Sequence, residues 1–375
     1  MRKVWGKIML AGGMALATLL AAEWVIRQKG FLPSAAEPDP DLGWRWSPGA
    51  RYRFQEEGYS EGRFNRFGMR DVERERMKPG GVRRVALLGD SFVEGLTVPL
   101  EKTFAFLAEQ QFHAAGRSVE VLNFARSGMG PTEELIVLKR DALGFDPDAV
   151  CLVYLPGNDI SDARPETTTD PARPFARRTE RGLELTFRFR DTRGYRLRRW
   201  INPLKQHSAL VSWAIARQRH RQQERLRAAV PPAAPNPLVS PQGVTSLFTS
   251  HPEAPYERAF DVNLAVLDEI HAACRARGIP FGLVILPAYL YFTADELAAA
   301  GADPSAIARR LQAWAAERGV ACLALQSPFE EEVARGVRLH FPCGPEPWNV
   351  GHFNEEGNAL AAQLLKPFLE GLLAR

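Results

Sequence analysis

Ser91 ends the run Arg84-Val85-Ala86-Leu87-Leu88-Gly89-Asp90-Ser91 and is the residue of this sequence best placed for nucleophilic chemistry. Arg84 to Leu88 is short, apolar and rich in Val and Leu, the composition of a buried strand. Gly89 and Asp90 break the run, so Ser91 falls at the carboxyl-terminal tip of that strand, ahead of Gly95 and a helical segment. Open α/β sheets bind ligands outside the carboxyl ends of their strands. A serine hydroxyl is unreactive without a base to take its proton and donors to hold the oxyanion that develops. Three further segments offer those groups. Asn123-Phe124-Ala125-Arg126-Ser127-Gly128-Met129-Gly130 follows a second strand, and Gly128 lets a backbone N–H approach a ligand unhindered. Gly157-Asn158-Asp159 follows a third, where the Asn158 amide can point into the same crevice. Asn349-Val350-Gly351-His352-Phe353-Asn354 precedes the last helical segment and supplies an imidazole. Taken singly each has a plainer reading: Ser91 as a helix N-cap, Gly128 as a turn, Asn158 and Asp159 as caps, His352 as a half-buried loop residue. Asp90 is expected to hold its turn, and Asp159 to be structural.

The elements that must position these groups alternate. After the first strand come a helix over Thr103–Ala115, a strand over Val119–Asn123, a helix that Pro131 opens and that runs to Leu143, and a strand over Ala149–Leu155. The rhythm stops near Ala163 and resumes with a helix over Arg258–Gly278, a strand over Pro280–Leu286, a helix over Ser305–Arg318, a strand over Gly319–Leu325 and a final helix over Asn354–Leu373. Strands alternating with helices predict an α/β fold with a parallel, doubly wound sheet. Residues 27–80 read as a lead-in, with Asp41–Trp44 and Phe64–Asp71 expected as short edge strands and turns, and 81–375 as the main domain. Within that domain, about 171–251 reads as an inserted segment, with a helix over His207–Leu226 followed by the extended linker Pro231–Pro237.

Composition narrows the class. The chain has 375 residues, 45% hydrophobic and 25% charged, as expected of a globular protein with a full core. Its net charge of +4 is unevenly spread, because Arg177 to Arg227 holds fifteen Lys/Arg against four Asp/Glu. That segment is either a solvated surface helix or a lid or patch for anionic lipid or polysaccharide. Arg2, Lys3 and Lys7 precede an apolar run over 8–26 broken only by Thr18 and Glu23. This is the pattern of a signal anchor: residues 1–7 cytoplasmic, one transmembrane helix, and the body periplasmic, or secreted if the segment is cleaved. Such a location argues against nucleic acid as a partner. The four cysteines form no Cys-x-x-Cys pair and none has a His at ligand spacing, so no metal site is expected. Cys151 and Cys274 read as buried thiols, and Cys322–Cys343 is the preferred disulfide.

Gly89-Asp90-Ser91, Gly128, Gly157-Asn158-Asp159 and His352, in this order, resemble the four blocks of the SGNH/GDSL hydrolase superfamily. The lead-in Asn65-x-x-Gly68-x-Arg70-Asp71 and the N-terminal anchor are similar to a bacterial extracytoplasmic branch of it. The resemblance covers about residues 60–160 and 260–375. It implies a flavodoxin-like three-layer α/β/α sandwich, with Ser91 as nucleophile and His352 as base and then acid. The Ser91 N–H, the Gly128 N–H and the Asn158 side chain would form the oxyanion hole. It implies a serine esterase working through an acyl-enzyme on a short acyl or acetyl ester of an envelope glycan or lipid, without cofactor. An O-acetyltransferase acting on a glycan, and a catalytically weak binding protein, are the alternatives. One position departs from the pattern: the family's acid three residues before the His is here Asn349. Either Asn349 orients His352 through its carbonyl oxygen, or a backbone carbonyl or distant acid does so, or the protein is slow or inactive.

Overall fold

The computed structural model describes residues 2–180, 182–228, 244–249, 251–288, 301–341 and 351–375. Asn349, Cys343 and the Pro231–Pro237 linker lie outside them, and the expected Cys322–Cys343 pair lies outside with Cys343. The chain divides into two units, Met1–Pro38 with Asp191–Ala234, and Asp39–Arg190 with Pro235–Arg375.

The larger unit is built on five parallel strands: β1 (Arg83–Leu88), β2 (Val119–Asn123), β3 (Ala149–Tyr154), β4 (Phe281–Ile285) and β5 (Ala321–Ala324). Their spatial order is β2-β1-β3-β4-β5. This is the flavodoxin-like doubly wound order, whose switch point lies between β1 and β3. Alternation along each strand divides the core in two. Ala86, Leu88, Leu122, Leu152 and Leu283 face the helices Pro131–Arg140, Ala254–Arg275 and Ala306–Arg318. Val85, Leu87, Val121, Val153 and Val284 face the helices Phe104–Ala114, Gln326–Ala334 and Glu355–Leu373. The expected three-layer architecture is therefore present, and Gln326–Ala334 is a helix that the sequence pattern did not announce.

The lead-in meets the expectation in part: Gly43–Trp46 is a strand, whereas Phe64–Asp71 is a turn and contains no strand. Asn65 Oδ1 accepts from the Phe67 and Met69 N–H groups, each at 3.0 Å, and Asn65 Nδ2 donates to Val72 O, so the segment is a side-chain-closed turn. The strands lie just before it: Arg51–Phe54 pairs antiparallel with Ser60–Arg63. Arg70, 1% exposed, extends from the turn and donates to the carbonyls of Glu94, Gly95 and Val98 and to the Tyr52 hydroxyl. Asp71 and Glu109 hold the buried Arg74 between them at 2.9 and 2.7 Å. Asp71 also accepts from Asn123 N, and Glu109 from Val121 N, both on the edge strand β2. Burial, outweighing Arg74, pushes Asp71 up to about 6.

The segment read as one insertion is shared between the units. Phe175–Thr179 and Gly182–Thr186 form a hairpin within the larger unit. The smaller unit takes two helices, Arg193–His207 and Ala209–Ala228, where one was expected over His207–Leu226. It also holds the helix Arg2–Gln28, of which Val4–Gln28 is long and apolar enough to cross a membrane. Glu23, the acid that interrupts the apolar run, caps the start of the third helix: it accepts from Ser208 Oγ and from the Ala209 and Leu210 N–H groups at 2.8–2.9 Å.

Arg70→Met should destabilise the protein by about 3 kcal/mol, because it leaves three buried carbonyls without donors. Thermal and urea unfolding would measure the loss, and an unchanged midpoint would count against the clamp.

Candidate active site

Ser91 is the first residue of a one-turn helix, Ser91–Glu94, that follows β1 directly. Asp90 caps it, accepting from Phe92 N at 2.9 Å, which is the turn-holding role expected of it. Gly89 adopts φ 157°, and a Cβ there would meet Val93 Cγ2 at 2.4 Å. Only glycine lets the chain turn this sharply out of the strand. The Ser91 hydroxyl thus stands at the switch point, between the ends of β1 and β3.

His352 lies 261 residues further on, and its Nε2 is 2.8 Å from Ser91 Oγ. Several contacts hold the histidine. Asn354 caps the last helix by accepting from Gly357 N. Phe341 N donates to His352 O, and His340 bridges to Phe353, whose ring is fully buried. The Phe92 ring packs 4.8 Å from the imidazole.

The group that orients the imidazole is Glu57, a residue the sequence reading missed. It sits in the turn of the lead-in hairpin. Its Oε2 is 2.5 Å from His352 Nδ1, and its Oε1 accepts from His352 N at 2.6 Å. A Cβ on Gly351 would lie 1.9 Å from that Oε1, so a glycine must precede the histidine for the carboxylate to enter. Because a carboxylate only accepts, Nδ1 carries the proton and Nε2 is left to accept from Ser91. Asn349, the expected orienter, lies outside the described residues, and the ring nitrogen it was to fix is bonded to Glu57. The only signal in the sequence is an acidic pair, Glu56-Glu57, followed by Gly58 between basic residues, which names no partner.

The hairpin is pinned beside the serine helix. Tyr59 N donates to Thr97 O at 3.1 Å, and Ser60 Oγ donates to Leu96 O. Burial alone would lower the His352 pKa; the hydrogen bond and charge of Glu57, with Asp90 and Glu94 behind, outweigh it and raise it.

The loop bearing Gly128 is fixed from two sides. Glu94, three residues after Ser91, accepts from Ser127 N at 2.7 Å and from Ser127 Oγ and Trp46 Nε1. Arg173, paired with Glu133 and Asp162, donates to Gly128 O. Asn158 begins a one-turn helix after β3, and Asp159 turns inward to accept from Leu155 N at 2.8 Å. Among the described residues, the Ser91 N–H, the Gly128 N–H and the Asn158 side-chain amide take no hydrogen-bond partner within the protein. The arrangement can deprotonate a hydroxyl and offers uncommitted donors at the carboxyl ends of β1, β2 and β3.

Behind the serine turn lies a group of buried acids. Among the described residues, Glu134 has both carboxyl oxygens without hydrogen-bond partners, and Asp90 and Asp159 have one each. Desolvation, with the charges of Glu94 and Asp162 beside it, pushes Asp90 up to about 6. Desolvation also raises Glu134, reinforced by Asp90 and Glu133, and Asp159, reinforced by Glu134 and Asp90, well above the carboxylate range.

No family model matches this sequence, and no curated protein matches it. Solved structures with partial likeness include a two-domain esterase (CEX) active on acetylated mannans, at 12% identity over 78% of this chain and 50% of that one, TM-score 0.39. TesA matches at 15% identity over 77% and 99%, TM-score 0.39. A putative lipolytic protein of the G-D-S-L family from Desulfitobacterium hafniense matches at 12% over 76% and 98%, TM-score 0.36. This chain spans about half the length of the two-domain esterase. Every one of these TM-scores is below 0.5.

Two titrations check these electrostatics. In NMR, His352 should titrate above the usual histidine value of about 6.5, and Glu57→Gln should lower it, since desolvation then acts with less opposition; an unmoved value would count against the contact. A carboxyl raised on folding stabilises fully below its unfolded pKa, and that stability is lost as pH rises towards the folded one. Glu134→Gln should therefore gain on the wild type as pH rises from about 5 to 8, by at most roughly 1.4 kcal/mol per pH unit. Parallel unfolding curves at all pH values would show that Glu134 does not titrate this way.

Proposed function

We propose that this chain is a serine ester hydrolase of the SGNH type, with Ser91 as nucleophile, His352 as general base and Glu57 as the positioning acid. The observation that carries the reading is the continuous relay Glu57 Oε2···Nδ1 His352 Nε2···Oγ Ser91, at 2.5 and 2.8 Å. Ser91 Oγ attacks the ester carbonyl carbon as its proton passes to His352 Nε2. The carbonyl oxygen becomes the oxyanion, for which the Ser91 N–H, the Gly128 N–H and the Asn158 amide are the donors. Collapse breaks the bond to the alcohol oxygen, which takes the proton back from His352. Water, deprotonated by His352 in turn, then cleaves the acyl-serine and releases a carboxylic acid. Glu57 keeps the imidazole in the productive tautomer and stabilises its charged form. The Asn-containing histidine loop is therefore compatible with activity, because the acid comes from elsewhere in the chain.

The apolar helix Val4–Gln28 supports a tethered enzyme with its body outside the cytoplasm, and hence a carboxylic ester on an envelope glycan or lipid as substrate. The segment's basic flank favours an anchor with a cytoplasmic N-terminus.

The full chain should hydrolyse p-nitrophenyl acetate and butyrate and be labelled by a fluorophosphonate, with Ser91→Ala abolishing both. Glu57→Gln should lower kcat by about 10²- to 10⁴-fold, and Asn349→Ala should leave it within a few-fold of wild type. The reverse ranking would return the orienting role to residue 349. Catalysis needs neutral His352, so the raised pKa places the acid limb of kcat/KM above about 6.5, and Glu57→Gln should move it to lower pH. Asn158→Ala should cost about 10²-fold or more in kcat. Hydrolysis unaffected by Ser91→Ala would overturn the assignment.

A further inference from the structure

The helix Arg193–His207 is amphipathic in the wrong sense for a soluble protein. Its buried side chains are Tyr195 and Asn202, seven residues apart on one face. Leu197, Trp200 and Leu204, spaced i, i+3 and i+7 on the opposite face, are 60%, 76% and 54% exposed. They are three of the six large hydrophobic residues that stand exposed outside the N-terminal helix among the described residues. A fourth, Phe31, belongs to the same unit. The helix also carries five cations, Arg193, Arg196, Arg198, Arg199 and Lys205, and no acid.

The place of this face within its unit narrows what can cover it. The carboxyl end of the helix meets the end of the apolar N-terminal helix: Arg27 Nη2 donates to His207 O at 2.8 Å, and Arg27 pairs with Glu23 at 2.6 Å. The chain leaving the apolar helix stays there, with Ser34 N donating to Lys205 O at 3.0 Å. Residues 23–34 thus fix His207 and Lys205 at the level where the apolar helix ends. A bilayer spanned by Val4–Gln28 has its headgroup layer at that level.

We propose that Arg193–His207 is an interfacial helix that lies in the headgroup layer of an anionic bilayer, with Leu197, Trp200 and Leu204 immersed at the acyl boundary. The proposal rests on the reading of Val4–Gln28 as a membrane span. Leu and Trp bury apolar surface there, and tryptophan favours that depth. Arg196 and Arg198 beside the stripe, and Arg193 at its amino-terminal end, meet lipid phosphates. The occupant is lipid rather than a second copy or a glycan, because the apolar stripe, its cationic borders and the end of the candidate span coincide within one unit.

The test uses the full chain, with Cys322 and Cys343 replaced by Ser, reconstituted in vesicles of phosphatidylcholine with or without phosphatidylglycerol. Nitroxide labels are placed one at a time by Leu16→Cys, Leu197→Cys, Leu204→Cys and Arg199→Cys, and their collisions with oxygen and with an aqueous nickel chelate are compared. Oxygen collisions should exceed chelate collisions at 16, 197 and 204, with the reverse at 199. The preference at 197 and 204 should strengthen with phosphatidylglycerol. Chelate-accessible labels at 197 and 204, with 16 still oxygen-preferring, would overturn the interfacial helix and leave the span intact. A chelate-accessible label at 16 would overturn the span itself. Labels at 197 and 204 shielded from both reagents in lipid-free detergent would show a protein partner instead and overturn the proposal.

Discussion

The contact between Glu57 and His352 is the constraint on which the site depends. One carboxylate holds both the ring Nδ1 and the backbone N–H of the same residue, at 2.5 and 2.6 Å. The first bond sets the tautomer, and the second fixes the loop that carries the ring. Neither forms unless the hairpin over Arg51–Arg63 lies against the carboxyl ends of the strands. The lead-in is accordingly fastened at many points: Arg70 on the carbonyls of Glu94, Gly95 and Val98, Asp71 on β2, and Tyr59 and Ser60 on the segment after the serine helix. What the sequence suggests is a connecting stretch is therefore part of the machinery that presents the imidazole.

These fastenings are largely charged and largely buried, which sets their energetics. A buried pair recovers little net stability over an apolar replacement, but losing one partner is costly, so such networks serve position more than stability. Arg74 between Asp71 and Glu109, and Arg173 between Glu133 and Asp162, fit that description. The acids Asp90, Glu134 and Asp159 do not, because among the described residues no cation forms an ion pair with them and burial favours their neutral forms. They sit behind the turn that carries Ser91, a stability cost beside a backbone turn that only Gly89 permits.

Much of this was legible from residue order, and the parts that were not share a cause. The strand–helix rhythm, the apolar tip before Ser91 and the N-cap pattern before the last helix are local, and local spacing encodes them. Ser91 and His352 could be nominated because each sits at a junction that its neighbours define. Glu57 could not, since 295 residues separate it from its partner and nothing around it marks the contact. Phe64–Asp71 reads as either strand or turn, and the Asn65 side chain decides for the turn by satisfying the backbone groups that a strand would pair. In Arg193–His207 the Leu and Trp spacing is plain in the sequence. Which face turns inward is not, because Tyr195 and Asn202 are ordinary surface residues by type.

The source of the acid changes what the site depends on. An acid three residues before the histidine would share its loop and would be placed by a single turn of backbone. Glu57 is placed by a hairpin, a side-chain-closed turn and a buried arginine, all before the first strand of the sheet. Orientation of the imidazole is then coupled to docking of the whole lead-in. A substitution at Arg70 or Asn65, remote from Ser91 in sequence, reaches the chemistry by loosening the hairpin that holds Glu57. The loop before the final helix is correspondingly relieved of supplying a charge, and an uncharged residue at position 349 is consistent with a working relay.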